Sequence, residues 1–408
     1  MSRQGWVACA LLAAYGAPAR PQDVQENILR WPDVVAAVAR DPRLAAARAR
    51  IDAAEGAVRA ARTPPNPELE AAAGRGSARN GAVARAEWEL ALSIPLDWIA
   101  RRGPGIDAAR ASVDEVSAEA EALRAEVTAE LWRLYTVAAY GQLEVEALEA
   151  SEEQAGALGR LVRRRVDAGE GRPVEIPRIE LELERVRNEV AAARAARDGA
   201  LARLAAWLKL PHIRRVELPP SPPPAESIGI GSPSELAEHP RIRAALARLE
   251  AARAEASVAR RSRIPGISLG AFYASELDRE AVGGRVGVEL PLWDWRSGRV
   301  QRAEAAAAAE ASRADAEGRA LRAALAAAVA SCESARAIAD RQTARILPRA
   351  EESARTLERT FQLGEIGILD VIDSRRVLLE ARRAALSSAR DREVECGALI
   401  LLSGRELP

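Results

Sequence analysis

ELALSIPLDW, residues 89–98, and VGVELPLWDW, residues 286–295, are two versions of one phrase. In each, an alternating stretch runs into a proline, a leucine and then an acid beside tryptophan. Pro95 corresponds to Pro291, an offset of 196. Two other landmarks return at nearly that distance. Asp41-Pro42-Arg43-Leu44 recurs as His239-Pro240-Arg241-Ile242, offset 198, and Gly169-Glu170 recurs as Gly364-Glu365, offset 195. Three landmarks in one order at nearly one offset mark an internal duplication.

Upstream of Pro95 the period is two. Ala84, Ala86, Trp88, Leu90, Leu92 and Ile94 fall on one face; Arg85, Glu87, Glu89, Ala91 and Ser93 fall on the other. That pattern is a strand, expected at about 83–94, with an apolar face and a wet face. A partner strand is expected at about 66–74, joined through the loop GRGSARNGA (74–82). The second half repeats the pair at about 266–275 and 284–293. Ile267, Leu269, Ala271 and Tyr273 share one face of the first of these. In the second, Val286, Val288 and Leu290 oppose Arg285, Gly287 and Glu289.

Downstream the period becomes helical. Val113, Val116, Ala120, Leu123, Val127, Leu131, Leu134 and Ala138 are spaced three or four apart, as a packed helix seam requires. Residues 106–167 contain no proline, and a helix of that length would span about 95 Å. The counterpart is 298–364, with Pro348 as its expected irregularity. Each long helix ends at a glycine turn and returns through a shorter helix, 175–208 or 370–403. A helix at 32–62, stopped by TPPNP, precedes the first strand pair. The first repeat thus occupies 20–209, with long helices over about 106–208. The second occupies 236–408, with long helices over about 298–403. A Pro- and Ser-rich linker, 210–235, lies between them.

Composition excludes several functions. The 408 residues carry 59 basic and 59 acidic side chains, so no net positive field favours nucleic acid. Lys209 is the one lysine; the remaining positive charge is arginine. No nucleophile–base set, phosphate loop or Cys/His cluster points to an enzyme, a cofactor or a metal site. Paired carboxylates serve glycosidases, but aromatic residues, the usual sugar platforms, make up only 3%. The three cysteines are Cys9, Cys332 and Cys396; the last two can pair only if the fold brings them together. Arg3, the apolar residues 5–15 and Ala17-Pro18-Ala19 resemble a signal peptide over 1–19. No later stretch has 18 apolar residues without charge, so no transmembrane helix is expected.

Four strands cannot close a barrel around a pore, but three chains would supply twelve. Then the Trp88 face would meet lipid, the face carrying Arg85, Glu87 and Glu89 would meet water, and Trp98, Trp293 and Trp295 would sit at the membrane interface. The alternative is a small sheet packed on helices.

The ordered set of parts, with NPELE after the first helix, IPLDW and LPLWDW at strand ends and LGEIGILDVID (363–373), resembles the TolC family of outer-membrane efflux proteins over essentially the whole mature chain. The resemblance implies a mainly α fold with a membrane β-barrel. Three copies would share a twelve-stranded barrel in outer-membrane lipid, with a helical tunnel through the periplasm. It implies a periplasmic adaptor and an inner-membrane pump of the RND or ABC type as partners. By the same pattern, Asp370 and Asp373 line a constriction at the periplasmic tip, with Glu175 at the matching place in the first half. Stacked rings of three carboxylates would repel one another and attract cations. Asp370 reads equally as a helix N-cap. An Arg that ties neighbouring chains in the family pattern is replaced here by Ile366, leaving Arg172 and Arg178 as candidate latches. The turns Gly169, Glu170, Gly171 and Gly364, Glu365 resemble adaptor-contacting tips, though glycine there is also what a tight helix end requires. Arg163, Arg164 and Arg165 form a basic run beside the first turn. The rival readings are a periplasmic adaptor, which would lack the whole-unit duplication, and a coiled-coil rod without a pore, which would not need the strands.

Overall fold

A computed structural model describes residues 28–76, 85–223, 236–276, 279–405 and Leu407. The expected leader with Cys9, the loop through Val83 and Ala84, and linker residues 224–235 lie outside the described residues.

The first half opens with a two-residue strand β1 (Ile28–Leu29) and helices α1 (Trp31–Val38) and α2 (Pro42–Arg62). The single helix expected over 32–62 is therefore two. Asp41 caps the second, its carboxylate accepting the Arg43 amide N–H at 2.6 Å, and Pro42 takes the first helical position, where its missing N–H costs nothing. Strands β2 (Glu68–Gly76) and β3 (Arg85–Pro95) follow, then α3 (Asp97–Asp167) and α4 (Glu175–Leu208). Helix α3 starts nine residues earlier than expected and carries Pro104 inside its early turns. At 71 residues it is about 105 Å long.

A short strand β4 (Arg215–Val216) pairs with β1. The second half supplies α5 (Pro240–Arg261), β5 (Ile267–Ser275), β6 (Glu280–Val288), α6 (Ser297–Arg341), a π-helical segment (Gln342–Ile346), α7 (Leu347–Gln362) and α8 (Ile368–Leu402). Here His239 does what Asp41 does in the first half: its Nδ1 accepts the Arg241 N–H at 3.2 Å, ahead of Pro240. The π segment lies just before Pro348, as expected from a residue that cannot donate to the helical ladder. Strand β6 begins and ends earlier than the expected 284–293. It pairs back to Ser275 through Glu280, and Leu290-Pro291 lies beyond its last ladder partner.

The four long strands form one antiparallel sheet in the order β2-β3-β5-β6. Its register puts Leu69, Leu92, Ala271 and Gly284 in one row across the sheet, and Ala71, Leu90, Tyr273 and Val282 in the next. Helix α3 packs on α2, α4, α5 and α8, and α6 packs on α5 and α8. Of the expected seam, Val127, Leu131 and Ala138 are fully buried. They join Trp31, Trp132 and Tyr135, with Trp31 edge-on to Trp132 at 4.9 Å between ring centroids. Linker residues 210–223 do not run free. Val216 exchanges two hydrogen bonds with Gln142, and Pro219 and Pro222 are buried.

Candidate conduit surfaces and helical tips

The sheet has the wrong side out for a water-soluble protein. Trp88, Leu90, Leu92 and Ile94 are each at least 40% exposed, as are Leu69, Leu269, Val282 and Val286, which lie on the same face. The opposite face carries Glu70, Glu89 and Arg285, with the Arg285 guanidinium ion-paired to both acids and stacked over Phe272. The inside/outside alternation is as the sequence indicates. The burial is inverted: among the described residues of one chain nothing covers the apolar face. Trp98 lies in the first turn of α3 with Arg102 5.6 Å from its ring centre. Trp293 and Trp295, between β6 and α6, are 93% and 65% exposed.

At the far end of the helices the two turns are built alike. Gly169 and Gly364 have φ of +76° and +81°, a region costly for any residue with a Cβ. Gly169 N–H donates to Val166 and Glu170 N–H to Arg165; Gly364 N–H donates to Phe361 and Glu365 N–H to Thr360. Both are Schellman ends, which satisfy carbonyls the helix would otherwise leave open. Gly171 is tightly placed for another reason: a Cβ there would stand 3.0 Å from the Val166 side chain and 3.2 Å from its backbone nitrogen, so its neighbours would have to give by a few tenths of an ångström. Glu170 and Glu365 are exposed.

Asp370 and Asp373 lie one turn apart on the exposed face of α8, while Val371, Ile372 and Ser374 on its other side are buried. The N-cap of α8 is Gly367, so Asp370 occupies the third helical position instead of the capping one. Its charge still faces the positive end of the helix dipole. Asp373 is 71% exposed and 3.8 Å from Arg376. Glu175 starts α4 on the other hairpin and is half-buried. Among the described residues it makes no hydrogen bond or ion pair to either aspartate. At the offset of 195, the first-half counterpart of Asp373 is Arg178.

Ile366 packs partly buried against a core of Leu158, Val162, Ile179, Phe361, Ile368, Val371 and Ile372, which joins the two tips. An arginine there would have to leave that core. Among the described residues neither Arg172 nor Arg178 makes an ion pair within the chain. Other arginines join the halves. Arg165 donates to the Phe361 carbonyl at 3.0 Å and lies over its ring. Arg375 reaches the Gln154 carbonyl at 2.6 Å and Glu358 at 2.8 Å. Part of the basic run is thus absorbed internally, since Arg163 pairs with Glu180.

The residue missed from sequence is Glu182. Its side chain is 7% exposed, yet it accepts from Arg376 of the second half at 2.6 and 2.8 Å and from Arg185 at 2.7 Å. Burial pushes its carboxyl up, and the hydrogen bonds from Arg185 and Arg376 outweigh that, so it ends below the usual carboxylate value. Its sequence signal is faint: an acid in the alternating run Ile-Glu-Leu-Glu-Leu-Glu, residues 179–184.

The profile of the family described as outer membrane efflux protein matches residues 34–208 and 232–405. The chain is 27% identical over 351 residues to the cobalt-zinc-cadmium resistance protein CzcC of Cupriavidus metallidurans, covering 83% of this chain and 81% of that protein. It is also 27% identical over a 409-residue alignment to protein CyaE of Bordetella pertussis, covering 94% and 85%. Among solved structures, the outer-membrane channel OprN superposes with a TM-score of 0.79 at 21% identity, covering 92% of this chain and 90% of that one. The outer membrane protein VceC of Vibrio cholerae superposes with a TM-score of 0.76 at 19% identity, covering 93% and 97%. The structural likenesses speak for the fold.

Proposed function

Because the chain belongs to the outer membrane efflux protein family, we propose that it is the exit duct of an export assembly, built from three copies. In this reading each copy contributes its four-stranded sheet to a twelve-stranded barrel in outer-membrane lipid. The hairpins α3/α4 and α6–α8 line a tunnel beneath it. The inverted sheet carries the proposal. A face holding Trp88, Leu90, Leu92, Leu269 and Val286 is stable only against lipid or protein, and among the described residues the outer strands β2 and β6 each have an edge unpaired within the chain. Closure with neighbouring copies satisfies both demands.

The tunnel would narrow where Asp370 and Asp373 stand exposed, giving two rings of three carboxylates about a threefold axis, with Glu175 on the neighbouring hairpin. Rings of one sign favour cations and oppose anions. The turns at Gly169–Gly171 and Gly364–Glu365 would meet a periplasmic adaptor, which links the duct to an inner-membrane pump. Trp98, Trp293 and Trp295 would lie at the periplasmic membrane interface. The relative named for cobalt, zinc and cadmium resistance makes divalent cations the first cargo to test.

The test is conductance of the purified protein in planar bilayers. Asp370→Ala with Asp373→Ala should raise conductance and weaken block by multivalent cations. Unchanged block would remove the two acids from the pore, and absence of any conductance from a properly folded trimer would remove the duct itself.

A further inference from the structure

Cys332 of α6 and Cys396 of α8 are joined by a disulfide across a sequence separation of 64. Both residues are 0% exposed, packed among Leu321, Leu325, Leu399 and Ile400. The bond lies where several other ties meet. Trp132 of the first half rests on Gly397, where a Cβ would stand 2.0 Å from its Nε1, and that N–H donates to the Glu393 carbonyl at 3.0 Å. The segment after β4 crosses the same level. Ser221 donates to the Glu393 carboxylate at 3.4 Å, and Arg336, one turn from Cys332, donates to the Pro222 carbonyl at 2.8 Å. The disulfide therefore holds α6 and α8 in the register on which the first half and the strap at 216–223 are seated.

We propose that this disulfide is installed by a thiol–disulfide oxidoreductase in an oxidising compartment, before the second-half core around it closes, and that it sets the alignment of the second hairpin. Buried sulfurs cannot be reached by a carrier protein once the core has formed, so exchange must come first. A thiolate of one cysteine attacks the carrier's disulfide to give a mixed disulfide and releases one carrier thiolate. The second cysteine's thiolate then attacks the chain's sulfur in that mixed bond and expels the other carrier thiolate. The two cysteines lose two protons and two electrons; the carrier disulfide takes them up as a dithiol. Such bonds persist outside the reducing cytosol, so the pairing places the helical body in an exported compartment on grounds independent of conduction.

Thiol mapping tests the bond itself. Full-length protein is denatured without reductant in excess iodoacetamide and digested. The Cys332 and Cys396 peptides should be recovered joined and unalkylated, and alkylated only after reduction; alkylation without reduction overturns the proposal. In cells, removing the compartment's dithiol oxidase should leave both cysteines as free thiols in newly made chain, and unaltered pairing would overturn the enzymatic step. The double variant Cys332→Ala, Cys396→Val keeps the site apolar. It should melt several degrees lower and expose the strap at 216–223 to protease sooner. Melting and proteolysis identical to the oxidised parent would overturn the alignment role. None of these readouts measures transport, so their failure is separate from failure of the duct.

Discussion

Removing the Arg376 side chain should loosen the two halves of the chain from each other by about 1–2 kcal/mol. Arg376→Ala deletes two charge-assisted hydrogen bonds to Glu182, of 2.6 and 2.8 Å. Such bonds are worth roughly 1.5–3 kcal/mol each when fully desolvated. Arg376 is 45% exposed and solvent screens it, which cuts the sum by half or more. Arg185 stays on Glu182, so the buried carboxylate is not left alone and the larger penalty of a stranded charge is avoided. Glu182→Gln should cost a similar amount, and the double variant should show a coupling of about 1 kcal/mol. The pH profile supplies an independent signature. The folded carboxyl lies below its ordinary value of 4.5, so its contribution is complete above that pH and fades as pH falls through the folded value. Urea unfolding of the detergent-solubilised full-length protein, from pH 7 down to about pH 3.5, would measure both. A coupling under about 0.3 kcal/mol refutes the cross-half clamp, as would superimposable pH profiles for the parent and Glu182→Gln.

Burial lowers the pKa of His239 below its ordinary 6.5, and its Nδ1 accepts the Arg241 N–H while its Nε2–H bonds the Leu402 carbonyl at 2.7 Å. Its contribution should be full above about pH 6.5 and lost as pH falls through the lower folded value. His239→Asn should flatten that part of the stability curve, read by thermal melting between pH 7 and pH 5. Leu90→Lys on the apolar sheet face should cost about 2–4 kcal/mol in a bilayer, seen as lost trimer in lipid, whereas Ala91→Ser on the other face should be tolerated. Gly169→Ala and Gly364→Ala should each lower stability by about 1–2 kcal/mol through the positive φ alone, measured by urea unfolding, with little change in helix content by circular dichroism.

Much of the architecture is a local matter, and local matters are legible in a sequence. Period two in Trp88-Glu89-Leu90-Ala91-Leu92 requires a strand with unlike faces, and a three-four spacing from Val113 to Ala138 requires a helix seam. Pro348 disturbs its helix because it has no N–H to give, and Gly169 and Gly364 end theirs because φ is positive there. Duplication repeated the strand and glycine-turn signals in both halves, whereas Pro348 has no first-half counterpart. Tertiary structure alone decided which residues meet. Glu182 finds Arg376 across 194 positions and Trp132 finds Gly397 across 265, while Cys332 finds Cys396 across 64. Helical and strand periodicities relate a residue only to neighbours within a turn or across a pleat. Pairings at such separations are set by how whole helices dock, and the burial they create is what turns an ordinary glutamate into a clamp and two thiols into a bond.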